Sequence, residues 1–182
     1  VSNLNIKRAV ENIRASTTAY TPVLETIVNA IQAIESTGRS DGKISIRVRR
    51  SDQLETDGSL PPIVGFEIED NGVGFTEEHR HSFDTLYSDL KISQGGKGFG
   101  RFTCLKHFED LHIDSIFHDD KGYQKRVFSM GKENELIVKE KLLPIVAKDC
   151  GTIVHLDNLR KGSFEKKLPT LARTLVEKLL PY

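Results

Sequence analysis

The sequence predicts a two-layer α/β (α+β) sandwich, a mixed, largely antiparallel sheet with helices packed on one face. Three observations lead there. Helical and strand periodicities are intermixed along 182 residues, a length that suits one domain with its own core. Four strand patterns follow one another in the second half, which favours antiparallel neighbours over a doubly wound sheet. The strands alternate apolar and polar residues, so one face is buried and the other wet.

The elements follow in order. Ile6, Val10 and Ile13 recur at helical spacing, predicting a helix near 5–15. Thr21 as N-cap and Pro22 at the first helical position open the next helix. Its apolar stripe is Leu24, Ile27, Ile31 and Ile34, and Gly38 lies just past its end. Ala30 and Ala33 are small enough to let it sit close to a sheet. Ile44, Ile46 and Val48 alternate with Ser45, Arg47 and Arg49, a half-buried strand; residues 51–62 end in Pro61-Pro62 and read as a loop. A strand runs from Ile63 to Glu69. A short helix covers about 77–87 with Thr76 as cap, and another begins just after Gly100 with Phe102, Leu105 and Phe108 inward. Strands follow near 111–117, 123–130, 135–141 and 151–157, then a helix over roughly 165–180.

Bulk properties narrow the function. The chain is 37% hydrophobic and 29% charged with a formal net charge of +0, so there is no global basic field for nucleic acid. The cluster Arg47, Arg49, Arg50 reads as a solvated strand edge. Cys104 and Cys150 form no CxxC pair or metal spacing, which points to free thiols in a reducing, cytoplasmic compartment. No apolar run approaches ~18 residues and no signal peptide is visible. The chain begins at Val1 and stops at Tyr182 after a helical pattern, the expectation for one domain (1–182) of a longer protein.

The chemistry concentrates in four pieces. Asp70 continues the inward side of Val64, Phe66 and Ile68, where a carboxylate needs a hydrogen-bond donor. The exocyclic amino group of adenine would serve. Taken alone, Asp70-Asn71-Gly72 reads first as a hairpin turn, but the second glycine, Gly74, and the long non-strand segment after it weaken that reading. Gly72 and Gly74 would let backbone pass close to a flat ligand. Gly95-Gly96-Lys97-Gly98-Phe99-Gly100 is neither a Walker loop nor GxGxxG. It runs straight into a helical pattern at Arg101, and a helix N-terminus preceded by glycines offers free N–H groups to phosphate, with Lys97 as a point charge. A flexible linker is the competing reading. Glu25, Asn29 and Gln32 share one face of their helix. That face is either solvated, or Asn29 supplies a neutral oxygen to Mg²⁺ while Glu25 activates water. Thr152, after Gly151, also points inward, toward a base, a water shared with Asp70, or the backbone. An EF-hand is excluded at 67–78 because a strand, not a helix, precedes it. The histidines show no ligand spacing.

Together these pieces resemble the GHKL ATPase superfamily of gyrase-type topoisomerases, Hsp90-class chaperones, histidine kinases and MutL-type repair proteins. Leu24-Glu25-Thr26-Ile27-Val28-Asn29-Ala30 is similar to its N-box. Asp70-Asn71-Gly72-Val73-Gly74-Phe75 is similar to its first glycine box, Gly96-Lys97-Gly98-Phe99-Gly100 to its second, and Gly151-Thr152 to its late Gly-Thr element. The resemblance covers most of residues 20–157. It implies the Bergerat fold, ATP as substrate, Mg²⁺ on Asn29 and the adenine amino group on Asp70. It also implies phosphates on the backbone around Gly96, Gly98 and Gly100, and a lid formed by residues 76–100. Position 25 is usually Asn in histidine kinases and Glu in the hydrolysing branches, so Glu25 favours hydrolysis. Hydrolysing relatives add a Lys or Arg from a following domain, and nucleotide-dependent homodimerisation fits. The alternatives are a histidine-kinase ATP-binding domain and a nucleotide sensor without turnover.

Overall fold

The computed structural model describes Ile6, Val10 and residues 17–53, 58–84, 100–133 and 135–181. Its centre is a six-stranded sheet in the order β1-β2-β6-β3-β4-β5. The strands are β1 (Ile44–Arg50), β2 (Ile63–Asp70), β3 (Phe108–Asp119), β4 (Gly122–Met130), β5 (Ile137–Pro144) and β6 (Gly151–Leu159). All five pairings are antiparallel, so the sheet is more regular than the mixed one expected. The described helices are α1 (Tyr20–Glu35), α2 (Glu77–Asp84), α3 (Gly100–His107) and α4 (Leu168–Leu179).

The alternation read from the sequence places the core. On β3, Phe108, Leu111, Ile113, Ser115 and Phe117 are buried, and the residues between the last four are not. The same face carries Phe66, Ile68, Phe128 and Leu156. Val23, Leu24 and Ile27 of α1, Phe102 and Leu105 of α3, and Leu171 and Leu175 of α4 close over it in one apolar cluster. Ile6 belongs to that cluster and lies in helical conformation. The rest of the expected 5–15 helix, apart from Val10, lies outside the described residues. Phe164 joins the layers through edge contacts with Phe66 and Tyr20, at ring centroid distances of 4.7 and 4.8 Å. Among the described residues no helix is long and apolar enough to cross a membrane.

Local expectations differ in four places. Helix α1 starts at Tyr20, and Thr21 is inside it, its hydroxyl accepting the Thr18 amide at 3.1 Å. The α1 stripe is rotated toward Val23, Ile27 and Ala30, which leaves Ile31 38% exposed. Small Ala30 on the sheet side permits that closer approach. Phe108 is the first residue of β3, not part of the preceding helix, though buried as expected. Helix α4 begins at Leu168 because Pro169 fixes its first turn. Thr76 does cap α2, accepting the His79 amide at 3.3 Å, and Gly38 ends the turn after α1 at φ +67°. The basic cluster lies on edge strand β1 and is paired: Arg47 with Glu67 and Glu69, Arg49 with Asp157, Arg50 with the Pro61 and Lys166 carbonyls.

Candidate nucleotide site

Strand register builds one half of the site. Asp70 on β2 lies opposite Thr152 on β6, Thr152 opposite Ser115 on β3, and Ser115 opposite Arg126 on β4. Four polar residues thus form one row across the core side of the sheet. Asp70 is 8% exposed and Ser115 and Arg126 are each 1% exposed. Polar groups so placed need partners, and these have them apart from Arg126 Nε, which makes no hydrogen bond among the described residues and only faces Glu140 Oε1 at 3.2 Å. Asp70 Oδ1 accepts the Gly72 amide at 2.8 Å. The Ser115 hydroxyl accepts the Phe75 amide at 2.7 Å and lies 2.9 Å from both the Gly151 carbonyl and the Thr152 hydroxyl. Arg126 donates to the Phe75 and Thr76 carbonyls at 2.8 and 3.0 Å, and pairs with Glu77 and Glu140. Burial pushes the Asp70 carboxyl up to about 6, against the pull of hydrogen bonds from the Gly72 and Thr152 backbones.

The row grips the loop 71–76 by its backbone. A Cβ on Gly72 would sit 2.6 Å from the Ala33 carbonyl carbon, and one on Gly74 would fall on the Ile116 carbonyl. These two glycines are therefore required by close packing on α1 and β3, and Gly74 also by φ +81°. Val73 completes the docking by donating to the Ala33 carbonyl at 3.1 Å. Asn71 takes the Lys43 amide at 2.7 Å, which ties the loop to the start of β1. Arg39 donates to the Asn71 carbonyl and pairs with Asp41 and Asp149; its hydrogen bonds hold both carboxyls below the ordinary carboxylate range.

Helix pairing builds the other half. Glu25 is half-buried on α1 and accepts the Thr103 hydroxyl of α3 at 2.7 Å. Asn29, one turn further, is exposed. An exposed carboxamide oxygen beside a carboxylate on one helix face suits a hard cation that keeps most of its water. Gly100 opens α3, as expected for a helix entered from the glycine run. Gly96, Lys97, Gly98 and Phe99, with the lid beyond Asp84, lie outside the described residues.

Comparison with known proteins decides the family. A family model described as histidine kinase-, DNA gyrase B-, and HSP90-like ATPase matches residues 16–138. The chain belongs to this family. It is a GHKL-type ATP-binding module. The ATPase region of Saccharomyces cerevisiae topoisomerase II superposes with a TM-score of 0.56 at 12% identity, over 85% of this chain and 43% of that one. The same region bound to ICRF-187 (dexrazoxane) gives the same values. This chain thus spans less than half of those neighbours, and at that identity they attest the fold alone. No curated protein matches the sequence.

Within this GHKL module the structure brings Asp70, Gly72, Gly74 and Thr152 together at one end of the sheet, and places Glu25 and Asn29 on α1. The sequence reading passes over Ser115, Arg126, Thr103 and Arg39. Two of them carried a signal. Ser115 lies among the inward positions Leu111, Ile113 and Phe117, and Arg126 stands two residues before inward Phe128. Like Asp70, both are polar side chains on the inward face of a strand.

Proposed function

We propose that this chain is a Mg²⁺-dependent ATP hydrolase module whose nucleotide state drives lid closure and homodimerisation in a larger protein. The observation that carries the reading is Asp70, a carboxylate buried in the core-side row beside the glycine-box loop and Thr152, with its charge raised in cost by burial. Such a group gains most from a donor delivered by a ligand. The adenine amino group is that donor, and guanine presents a carbonyl at the same position. The Thr152 hydroxyl holds a neighbouring ring nitrogen or a bridging water.

Asn29 would contribute one oxygen to Mg²⁺, which when bound neutralises charge on the phosphates. The backbone around Gly96, Gly98 and Gly100, with Lys97, holds the phosphates at the start of α3. Glu25 orients the attacking water and accepts its proton. A Lys or Arg from a following domain completes the charge. Phosphoryl transfer needs positioning and charge stabilisation more than covalent chemistry, so this set suffices.

The test is γ-labelled ATP with the intact protein. Mg²⁺-dependent release of inorganic phosphate is expected, with GTP bound at least about tenfold more weakly, the cost of an unpaired buried acceptor. Label on a protein histidine would replace hydrolysis by kinase chemistry. Tight binding without turnover would leave a sensor.

A further inference from the structure

We propose that Thr103 is the positioning residue for Glu25, so that the helix receiving the phosphates also aims the carboxylate that activates water. The inference rests on the assignment of Glu25 above. Thr103 stands in the first turn of α3 and is 4% exposed, flanked by buried Phe102, Cys104 and Leu105. A β-branched side chain so packed has little freedom about χ1. Its hydroxyl donates to Glu25 Oε2 at 2.7 Å, a distance typical of O–H···O bonds and charge-assisted once the carboxylate is ionised.

The consequence is geometric. Glu25 is half-buried and has three side-chain torsions. The bond from Thr103 to Oε2 narrows the directions that its carboxylate can take. A base must sit within hydrogen-bond reach of the water it deprotonates, and small misplacements there are costly. The donor comes from the turn that begins at Gly100. Any ligand that draws the N-terminus of α3 toward itself carries Thr103 along, because one helical turn is rigid. Phosphate engagement and base alignment are thereby a single movement, through two residues 78 apart in sequence. No substrate contact is required of Thr103.

Steady-state kinetics and ATP affinity of the intact protein test this with Thr103→Val, which keeps the volume and loses the donor, and Thr103→Ser, which keeps the donor. Thr103→Ala is measured beside them as a second loss of donor. The expectation is that kcat falls at least about tenfold in the valine and alanine variants while the ATP dissociation constant stays within about threefold. Serine restores kcat to within about threefold of the parent. In a Glu25→Gln background, Thr103→Val costs nothing further, because the group it positions is gone. Parental kcat in both donor-loss variants, or serine as impaired as valine, overturns the proposal. If Glu25→Gln itself turns over normally, the base assignment fails and takes this inference with it. If Glu25→Gln is inactive and Thr103→Val is not, only the positioning role fails.

Discussion

Asp70→Asn separates what this carboxylate does for the ligand from what it does to the fold. The substitution keeps an Oδ1 acceptor for the Gly72 amide, 2.8 Å away. It replaces the second oxygen by an NH₂ and removes the charge. The carboxyl stands at about 6 in the folded chain against an ordinary 3.8. Its folded value is raised, so its favourable contribution is present below pH 3.8 and is lost as pH rises through about 6. At about 1.36 kcal/mol per pH unit, ionised Asp70 lowers stability near neutral pH by at most about 3 kcal/mol. Asn carries no such penalty, and the hydrogen bond from the Thr152 backbone that it weakens is worth about 1 kcal/mol. The variant should therefore melt higher than the parent at pH 7.5, with the gap closing toward pH 4. Nucleotide binding should move the other way. An amide NH₂ facing the adenine amino group leaves a donor unpaired, at a cost of about 1–3 kcal/mol, or roughly 5- to 150-fold in ATP affinity. GTP, with an acceptor there, should lose little. Melting curves from pH 4 to 8 and calorimetric titration with both nucleotides measure the two effects. Lower stability at pH 7.5 together with unchanged ATP affinity would refute both the buried charge and its ligand.

Three further outcomes follow from the geometry. Asn29 is exposed, so Asn29→Ala should leave the melting temperature unchanged and abolish the Mg²⁺-dependent part of ATP affinity, seen by titration with and without the metal. Glu25→Ala should bind ATP nearly as tightly as the parent while phosphate release falls at least about 100-fold, the lower end of general-base contributions; full activity would remove the hydrolytic mechanism. Arg126→Met should destabilise the domain by a few kcal/mol, at or below the roughly 3–5 kcal/mol of a fully buried pair, because Glu77 is 64% exposed and keeps its hydration. ATP affinity should fall with it, since the Phe75 and Thr76 carbonyls lose their anchor; an unchanged affinity in the folded variant would separate Arg126 from the site.

The sheet was legible because its signal is local. Alternation at 63–70 and 151–157 assigns an inward face, and Asp70 and Thr152 fall on it in the structure. Strand order was not legible, because β6 inserts between β2 and β3, a non-sequential pairing no local pattern encodes. The polar row depends on that insertion: without β6 in the middle, Asp70 and Ser115 would not share a neighbour. The reason for Gly72 and Gly74 also changed with the tertiary structure. Their missing side chains make room for Ala33 and Ile116 backbone, which a sequence cannot show. The contact between Thr103 and Glu25 joins two helices and was beyond any periodicity argument.

The two halves of the site are held by different physics, which decides how variants should sort. The Asp70 end is fixed by strand register and by buried hydrogen bonds that the Phe75 amide donates to Ser115 and that Arg126 donates to the Phe75 and Thr76 carbonyls. Moving it means breaking several buried bonds at once, so it is organised before ligand arrives, and losses there should appear as affinity. The Glu25 end depends on the packing of α1 against α3 and on the side-chain bond between Thr103 and Glu25. Helix pairs shift by small translations at lower cost than a sheet changes register. Losses at the α1–α3 contact should therefore appear in kcat with affinity preserved. A residue of the row that altered only kcat, or a residue of that contact that altered only affinity, would break the division.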